Sequence, residues 1–241
     1  MRKMLVIASG VVKELIRRKD FYLIFALLVV IMLYAAMISF GGERGFYRYF
    51  KEIGISLTYV FSLIIAVTFA SRQIPQEIEQ KTIYPILAHP VSRLDLILGK
   101  FAGVLFISMI SFSLFYIVFI ISVLMRGDFT TPALLFIEGY VLHCFLLSFF
   151  VSLAVLFSLF LSPAACAGIT LILYFASNWF GVNAAGYIYL PHPELFDIKE
   201  RIVHSWDIVP LWAMGLLCLY AIIYTSLFLS LAYAAFRRRD L

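Results

Sequence analysis

The chain has 241 residues, of which 63% are hydrophobic and 14% are charged, and its mean hydropathy is +1.00. Globular proteins average about 45–50% apolar and about 25% charged residues, so this chain has too few polar side chains to cover a water-soluble surface. The composition excludes a disordered polymer, a disulfide-rich secreted domain and a conventional soluble enzyme. It predicts an all-α polytopic membrane protein, because helices satisfy their own backbone groups within lipid.

Residues 1–20 predict an amphipathic helix that lies on the membrane surface. Their apolar run is too short for a signal peptide, and several basic residues follow it. Drawn at 100° per residue, the segment separates an apolar face from a charged one. The predicted apolar face consists of Leu5, Ala8, Val12, Leu15 and Ile16. The alternative is a plain continuation of the first membrane span.

Six stretches without Asp, Glu, Lys or Arg follow. A hydrocarbon core of about 30 Å needs about 20 apolar residues in a helix, and each stretch approaches or exceeds that length. We predict six transmembrane helices in a single domain over residues 1–241. The predicted spans are Phe21–Phe40, Ile53–Ser71, Phe101–Met125, Gly139–Leu161, Ala167–Ala185 and Ile208–Ala235.

The basic residues predict the orientation. With both termini in the cytoplasm, the inner connections carry about twice as many Lys and Arg residues as the outer ones, which follows the positive-inside rule. Three consecutive arginines, residues 237–239, come directly after the last span. These basic residues account for the net charge of +5 without a nucleic-acid partner.

The inner connection, residues 72–100, is the first of two long polar segments. Pro75 suits the first turn of a helix, where its missing N–H costs nothing. Glu77 and Glu79 would then lie near the positive end of the helix dipole, and Glu77 has the spacing to pair with Lys81. The pattern predicts a short helix that protrudes from the membrane.

A second helix is predicted after this one. Pro85 and Pro90 end the first helix, and Ser92 followed by Asp95 has the spacing of a capping box, so a new helix should begin at Ser92 and continue into the third span. Between them lie apolar side chains that have no lipid to face, for which a partner protein is the expected contact. They are Ile83, Tyr84, Ile86 and Leu87.

The residues 77–101, EIEQKTIYPILAHPVSRLDLILGKF, resemble the signature of ABC-2-type transporter permeases. Within that family they are most similar to the branch of the permease for maturation of the multi-copper enzyme nitrous-oxide reductase. Many members have Gly before the Thr, where this chain has Lys81. The matching positions are Glu77, Glu79, Thr82, Leu87, Pro90, Val91, Ser92, Arg93, Gly99 and Lys100.

The resemblance implies that residues 72–100 are a coupling element that docks on a separate ABC ATPase. The family's coupling positions correspond to Glu77, Glu79, Thr82, Leu87, Pro90, Ser92 and Arg93. It further implies two ATPase copies, a second copy of this permease or a similar one, and the inner membrane of a prokaryote. A periplasmic accessory protein is an additional partner that the branch suggests.

The chain itself is not expected to be an enzyme or to bind a cofactor. It has no G-x-x-x-x-G-K-[ST] phosphate loop, so ATP and Mg²⁺ belong on the partner ATPase. The substrate and the direction of transport stay open, although export is the usual direction in the family.

The outer segment, residues 186–207, combines aromatic and acidic side chains. Leu195, Ile198, Ile202 and Val203 recur at helical spacing and predict a short helix on the outer leaflet. In related permeases this region covers the exit of the transport path, which suggests a helical lid. A metal site at His192 and His204, beside Glu194 or Asp207, is a weakly supported alternative because the spacing is irregular.

Two polar residues lie within the predicted spans, His143 in the fourth and Asn178 in the fifth. Such groups face the bundle interior, where they form a packing hydrogen bond or line a substrate path. Small residues at Gly99/Gly103 and Ala164/Gly168 permit close approach of helices.

Two other functions remain as alternatives. A non-transporting membrane scaffold would also need a docking protrusion. An intramembrane enzyme is less well supported, because the chain has no H-E-x-x-H, no G-x-S-x-G and no paired carboxylates in the spans.

Overall fold

The computed structural model describes residues 2–17, 19–37, 43–79, 92–125, 131–180 and 191–238. Within these ranges all the regular structure is helical, which confirms the predicted all-α fold. The helices are α1 (Arg2–Ile16), α2 (Lys19–Met37), α3 (Glu43–Glu79), α4 (Arg93–Met125), α5 (Ala133–Ser158), α6 (Pro163–Phe180), a 3₁₀ helix (Pro193–Phe196), α7 (Lys199–His204) and α8 (Leu211–Arg237).

Four of the described helices, α3, α4, α5 and α8, are long and apolar enough to cross a membrane. They coincide with the second, third, fourth and sixth predicted spans. The first and fifth predicted spans coincide with α2 and α6, whose described apolar stretches, Tyr22–Ile31 and Pro163–Ser177, are shorter. The prediction of six spans is therefore confirmed for four helices among the described residues.

The centre of the bundle is formed by α3, α4 and α5. In their most apolar windows, 61% of the α3 residues and 67% of the α5 residues are buried, against 11% for α8. Because α3 has 37 residues and rises about 1.5 Å per residue, it extends beyond the thickness of a hydrocarbon core. The helix α8 lies at the periphery and leaves most of its apolar surface to lipid.

The two ends of α3 define two ends of the bundle. At what we call the distal end, Arg48 of α3 contacts His204 of α7. At what we call the proximal end, Glu77 of α3 contacts Lys100 of α4. The described parts of the two long polar segments, residues 72–79 with 92–100 and residues 191–207, therefore lie near opposite ends of α3.

Two glycines of α4 allow α1 to pack closely against it. A Cβ atom added at Gly99 would lie 2.9 Å from the Cβ of Ile7, and one added at Gly103 would lie 2.7 Å from the Cβ of Val11 and 2.9 Å from the carbonyl oxygen of Ala8. Only glycine permits this approach. The predicted close packing at Gly99/Gly103 is confirmed, whereas Gly168 has open space around its Cα.

The side of α1 that contacts α4 differs from its predicted apolar face, which was expected to meet the membrane. Val11 and Leu15 are buried, while Leu5 and Ile16 are 61% and 44% exposed. The reason is the contact with α4, whose glycines accept the side that carries Ile7 and Val11. Amphipathicity alone did not reveal this contact, and the position of α1 on the membrane surface stays a prediction.

The helices α1 and α2 follow α4 in the same direction. Ile7 and Val11 lie beside Gly99 and Gly103, and further along, the ring of Phe25 in α2 stacks on that of Phe115 at 5.6 Å between centroids. Successive residues of α1 and α2 therefore contact successive turns of α4.

We expect Gly103→Ala to destabilise the protein, by about 1–3 kcal/mol, because the methyl group would meet the backbone of Ala8 and the branched side chain of Val11. Gly168→Ala is the matched control, since it adds the same methyl group to a helix at a position where no packing atom of the described residues lies within 4 Å. Thermal unfolding of the purified protein in detergent measures both. An equal change in melting temperature for the two variants would contradict the packing model.

Candidate functional site

The candidate site is the connection between α3 and α4 at the proximal end. Its predicted coupling residues Glu77, Glu79, Ser92 and Arg93 lie within the described helices or next to them. Thr82, Leu87 and Pro90 lie outside the described residues, as does the predicted turn between Pro85 and Pro90. The structure therefore describes the two sides of the connection where it joins the bundle.

The prediction that Pro75 begins a new helix is wrong. Pro75 lies inside α3, which continues to Glu79. Proline removes one helical hydrogen bond, but Ser71, Gln73 and Ile74 just before it are all buried in the bundle. Burial of this turn offsets the lost bond, so the second span and the first part of the connection form one rod.

A buried cation joins the two sides of the connection. Lys100 of α4 is only 3% exposed, and its Nζ donates to Oε1 of Gln73 at 3.1 Å and forms an ion pair with Glu77, both on α3. A buried ammonium group needs such partners because it has lost its water. The Glu77–Lys81 pair predicted from spacing stays a prediction, since Lys81 lies outside the described residues.

Lys100 was not among the predicted coupling residues. The sequence did indicate that this residue is special. A single lysine directly before the uncharged third span must either lie at the membrane surface or pair with another polar group. Its partner could not be identified, since Gln73 and Glu77 are more than twenty residues away along the chain.

The predicted capping box at the start of α4 is confirmed. The hydroxyl of Ser92 accepts from the backbone N–H of Asp95 at 3.0 Å and donates to the Asp95 carboxylate at 2.7 Å. In return, the Ser92 N–H donates to the same carboxylate at 3.3 Å. The helix α4 begins at Arg93 and continues through the third span without interruption, as expected.

Arg93 joins the start of α4 to the end of α8. Its Nη1 donates to the carbonyl oxygens of Phe236 at 2.8 Å and Arg237 at 2.9 Å, and its guanidinium lies 5.6 Å from the centroid of the Phe236 ring. The last carbonyls of a helix have no partner within it, and a cation is favourable at that end of the dipole. Arg93 thus makes an intramolecular contact that sequence analysis did not foresee.

Glu79, by contrast, is exposed at the last residue of α3. Among the predicted coupling residues that the structure describes, Glu79 and Ser92 are exposed, whereas Glu77 and Arg93 are half-buried.

His143 lies in the interior of the bundle. It is 1% exposed, its ring stacks on Tyr59 at 4.0 Å between centroids, and its Nε2 lies 2.8 Å from the hydroxyl oxygen of Ser62. This agrees with a packing hydrogen bond, and a role in lining a path stays a prediction. Asn178 belongs to α6, but its side chain lies outside the described residues.

The contact between Ser62 and His143 is enclosed within the bundle. The hydroxyl oxygen of Ser62 lies 2.9 Å from the carbonyl oxygen of Tyr59 and 2.8 Å from Nε2 of His143, and the tautomer of His143 sets which of the two accepts the Ser62 proton. Both side chains are also closed off from the surface.

Polar contacts hold the outer segment on the distal end. Lys51, 3% exposed, donates to the hydroxyl of Thr131 at 3.0 Å, and that hydroxyl lies 2.9 Å from the hydroxyl of Ser205. The buried carboxylate of Glu138 accepts from the backbone N–H of Val209 at 3.0 Å. These contacts attach residues 205–209 to α3 and to the beginning of α5.

Apolar contacts complete this attachment. Ile198, Ile202 and Val203 are buried, and the Cδ1 of Ile202 lies 2.7 Å from the position that a Cβ at Gly139 would occupy. Leu195 is exposed. The apolar side of the outer helix therefore faces the bundle and not the lipid, because Gly139 leaves a space that a side chain from α7 fills.

The two histidines considered for a metal site have other contacts. His192 Nδ1 lies 3.1 Å from Glu194 Oε1, and His204 Nδ1 accepts from the guanidinium of Arg48 at 2.6 Å. The positive charge of Arg48 beside His204 would repel a metal cation at that position. In the part of the chain that the structure describes, no three His, Cys, Asp or Glu side chains are grouped to hold a metal ion.

A comparison with protein families finds one match. The model described as "ABC-2 family transporter protein" matches residues 13–177, about two thirds of the chain. The match contains α2 to α5, most of α6 and the whole connection between α3 and α4. No curated protein matches the chain.

We expect Lys100→Met to destabilise the protein, because the carboxylate of Glu77 would lose its buried partner. In a double-mutant cycle, Glu77→Gln should lower the free energy of unfolding less in the Lys100→Met variant than in the wild type. We expect a coupling energy of about 1–3 kcal/mol. Unfolding of each variant in detergent provides the free energies for the cycle. Glu79→Gln is the charge-matched control, because Glu79 is exposed. It should change the free energy of unfolding by no more than about 0.5 kcal/mol. A coupling energy near zero would contradict the proposed link.

We expect Arg93→Gln to loosen the end of α8. Without the guanidinium, the carbonyls of Phe236 and Arg237 lose their donor, so the last turn should fray. Hydrogen exchange of peptides from residues 230–238 should become faster, while peptides from residues 211–220 should not change. Equal protection of the last turn in the variant and the wild type would contradict this assignment.

Proposed function

Because the chain belongs to the ABC-2 transporter family, we propose that it is the membrane subunit of an ATP-driven transporter and that residues 72–100 dock a separate ATPase. The membrane character and the family are established, and the match contains the whole of the proposed docking segment. The complete assembly would have six spans per subunit, both termini in the cytoplasm, two ATPases and two permease subunits in a prokaryotic inner membrane.

The observation that carries the proposal is the pair of links at the proximal end. Lys100 ties α4 to α3, and Arg93 ties α4 to α8. A force applied to the segment between residues 79 and 92 would therefore reach three membrane helices together. A lever needs this property, since a flexible connection would absorb the motion of the motor.

The residues assigned to coupling then have different roles. Glu79 is exposed and suited to direct contact with the ATPase. Glu77 and Arg93 hold the helices to one another, and Ser92 caps α4. Thr82, Leu87 and Pro90 are proposed to lie in the docking surface between them.

The distal end is proposed to act as the lid of the transport path. Its attachment through Lys51, Glu138 and Gly139 keeps residues 191–210 closed over the ends of α3 and α5. Movement of α3 by the ATPase at the proximal end would be transmitted along the same helix to Lys51. Export of a substrate, or mechanical work across the membrane, would follow from that movement.

A scaffold without transport activity remains the second candidate. The same links would hold a docking segment rigid for assembly as well as for force. ATP-dependent movement of a substrate in vesicles separates the two, because a scaffold would bind the ATPase without any such movement.

The docking test uses charge reversal at the two ends of α3. Glu79→Lys should lower the amount of ATPase that co-purifies with the chain by at least about tenfold, because it places a cation in the proposed contact. Glu52→Lys is the matched control, since Glu52 is exposed on the same helix near the distal end. The melting temperature of both variants should equal that of the wild type.

Leu87→Asp provides a second and independent test of docking. An acidic side chain at an apolar contact should also abolish co-purification and the ATP hydrolysis that depends on this chain. If Glu79→Lys and Leu87→Asp both leave an intact and active complex, the segment is not the docking site.

A further inference from the structure

A groove lies between the first turns of α4 and the last part of α8. It has a volume of about 300 Å³ and is lined by Leu94, Ile97 and Leu98 of α4 and by Leu229, Ser230 and Tyr233 of α8. Among these, Leu94 is 42% exposed and Ser230 is also exposed, so the groove opens to the side of the bundle. An opening in this direction faces lipid.

The groove is lined by α8 from Ser226 to Tyr233, a rise of about 10 Å at about 1.5 Å per residue, and the helix continues beyond it to Arg237. Ser226, Ser230, Tyr233 and Arg237 recur at intervals of three or four residues and so lie on one face of α8. From Ser226 to Arg237 the helix rises about 16 Å, at about 1.5 Å per residue. Half of a hydrocarbon core of about 30 Å is about 15 Å, the depth that an acyl chain occupies.

The end of the groove is positively charged. Arg237 and Arg238 are exposed at the end of α8, and Arg93 contacts the carbonyls beside them. The carboxylate of Asp95 is nearby, but it accepts from Ser92 in the helix cap. Within the described part of this end, residues 92–95 and 236–238, three guanidinium groups accompany one carboxylate, and an anion is the complementary ligand.

The groove also offers hydroxyl groups. Serines within α4, such as Ser108 and Ser111, donate to the carbonyl four residues earlier. For Ser226 and Ser230 the structure has no such bond among the residues it describes. Their hydroxyls are available to the ester and glycerol oxygens of a lipid.

We propose that this groove binds one anionic phospholipid. An acyl chain would lie along Leu98 and Leu229, and the phosphate would be held by Arg237 and Arg238 at the proximal end. The lipid would fill the space between α4 and α8 that the protein leaves open, next to the Arg93 link. The site depends only on the chain being in a membrane and not on the docking of an ATPase.

The test is native mass spectrometry of the purified full chain with added phosphatidylglycerol or phosphatidylcholine of the same acyl chains. We expect one tightly bound phosphatidylglycerol, with an affinity at least about fivefold higher than that for phosphatidylcholine. In Arg237→Gln/Arg238→Gln this preference should fall below about twofold. An equal affinity of the wild-type chain for both lipids would overturn the proposal.

A second variant tests the groove itself. Ser230→Trp should lower the binding of both lipids at least fivefold, because the indole would occupy the space of the acyl chain. Leu216→Trp is the control, since it is also exposed on α8 but lies towards the distal end. The proposal would be overturned if Ser230→Trp left lipid binding unchanged. It would also be overturned if this variant converted a wild-type dimer to a monomer without loss of bound lipid. The second outcome would assign the groove to another copy of the chain.

Discussion

The buried ammonium group of Lys100 is the constraint on which the proximal end of the molecule depends. An unpaired cation in this position would cost several kcal/mol, so α4 must keep its first turns against the part of α3 that carries Gln73 and Glu77. This requirement keeps α3 helical through Pro75 and brings the two sides of the connection together. The contact of Arg93 with the carbonyls of α8 then joins a third helix to the same point.

The distal end uses a similar arrangement for a different purpose. Lys51 and Glu138 are charged residues at the ends of apolar helices, and each satisfies its charge with a group on another element. Burial of these groups is tolerated because hydrogen bonds replace water. As a result, the outer segment is fastened to α3 and α5, and α3 connects the two polar ends through the apolar centre.

Close approach of helices at glycine residues explains contacts between helices that hydrophobicity alone does not predict. Gly99 and Gly103 admit α1, and Gly139 admits Ile202. In a bilayer the helices gain little from hydrophobic burial alone, since lipid is as apolar as leucine. Packing at small residues therefore selects which helix lies against which, and it places the side of α1 that carries Ile7 and Val11 against α4.

The sequence by itself determined the all-α fold, the four long spans, the capping box at Ser92 and the family, because these follow from local composition and short spacing. Only the tertiary structure decided that Pro75 lies within a helix, that Lys100 pairs with Glu77, and that Arg93 contacts the end of α8. The partners of these residues lie between 23 and 144 positions away along the chain, and no local pattern relates them. Side chains that meet across helices depend on helix register and close packing, which the three-dimensional arrangement alone specifies.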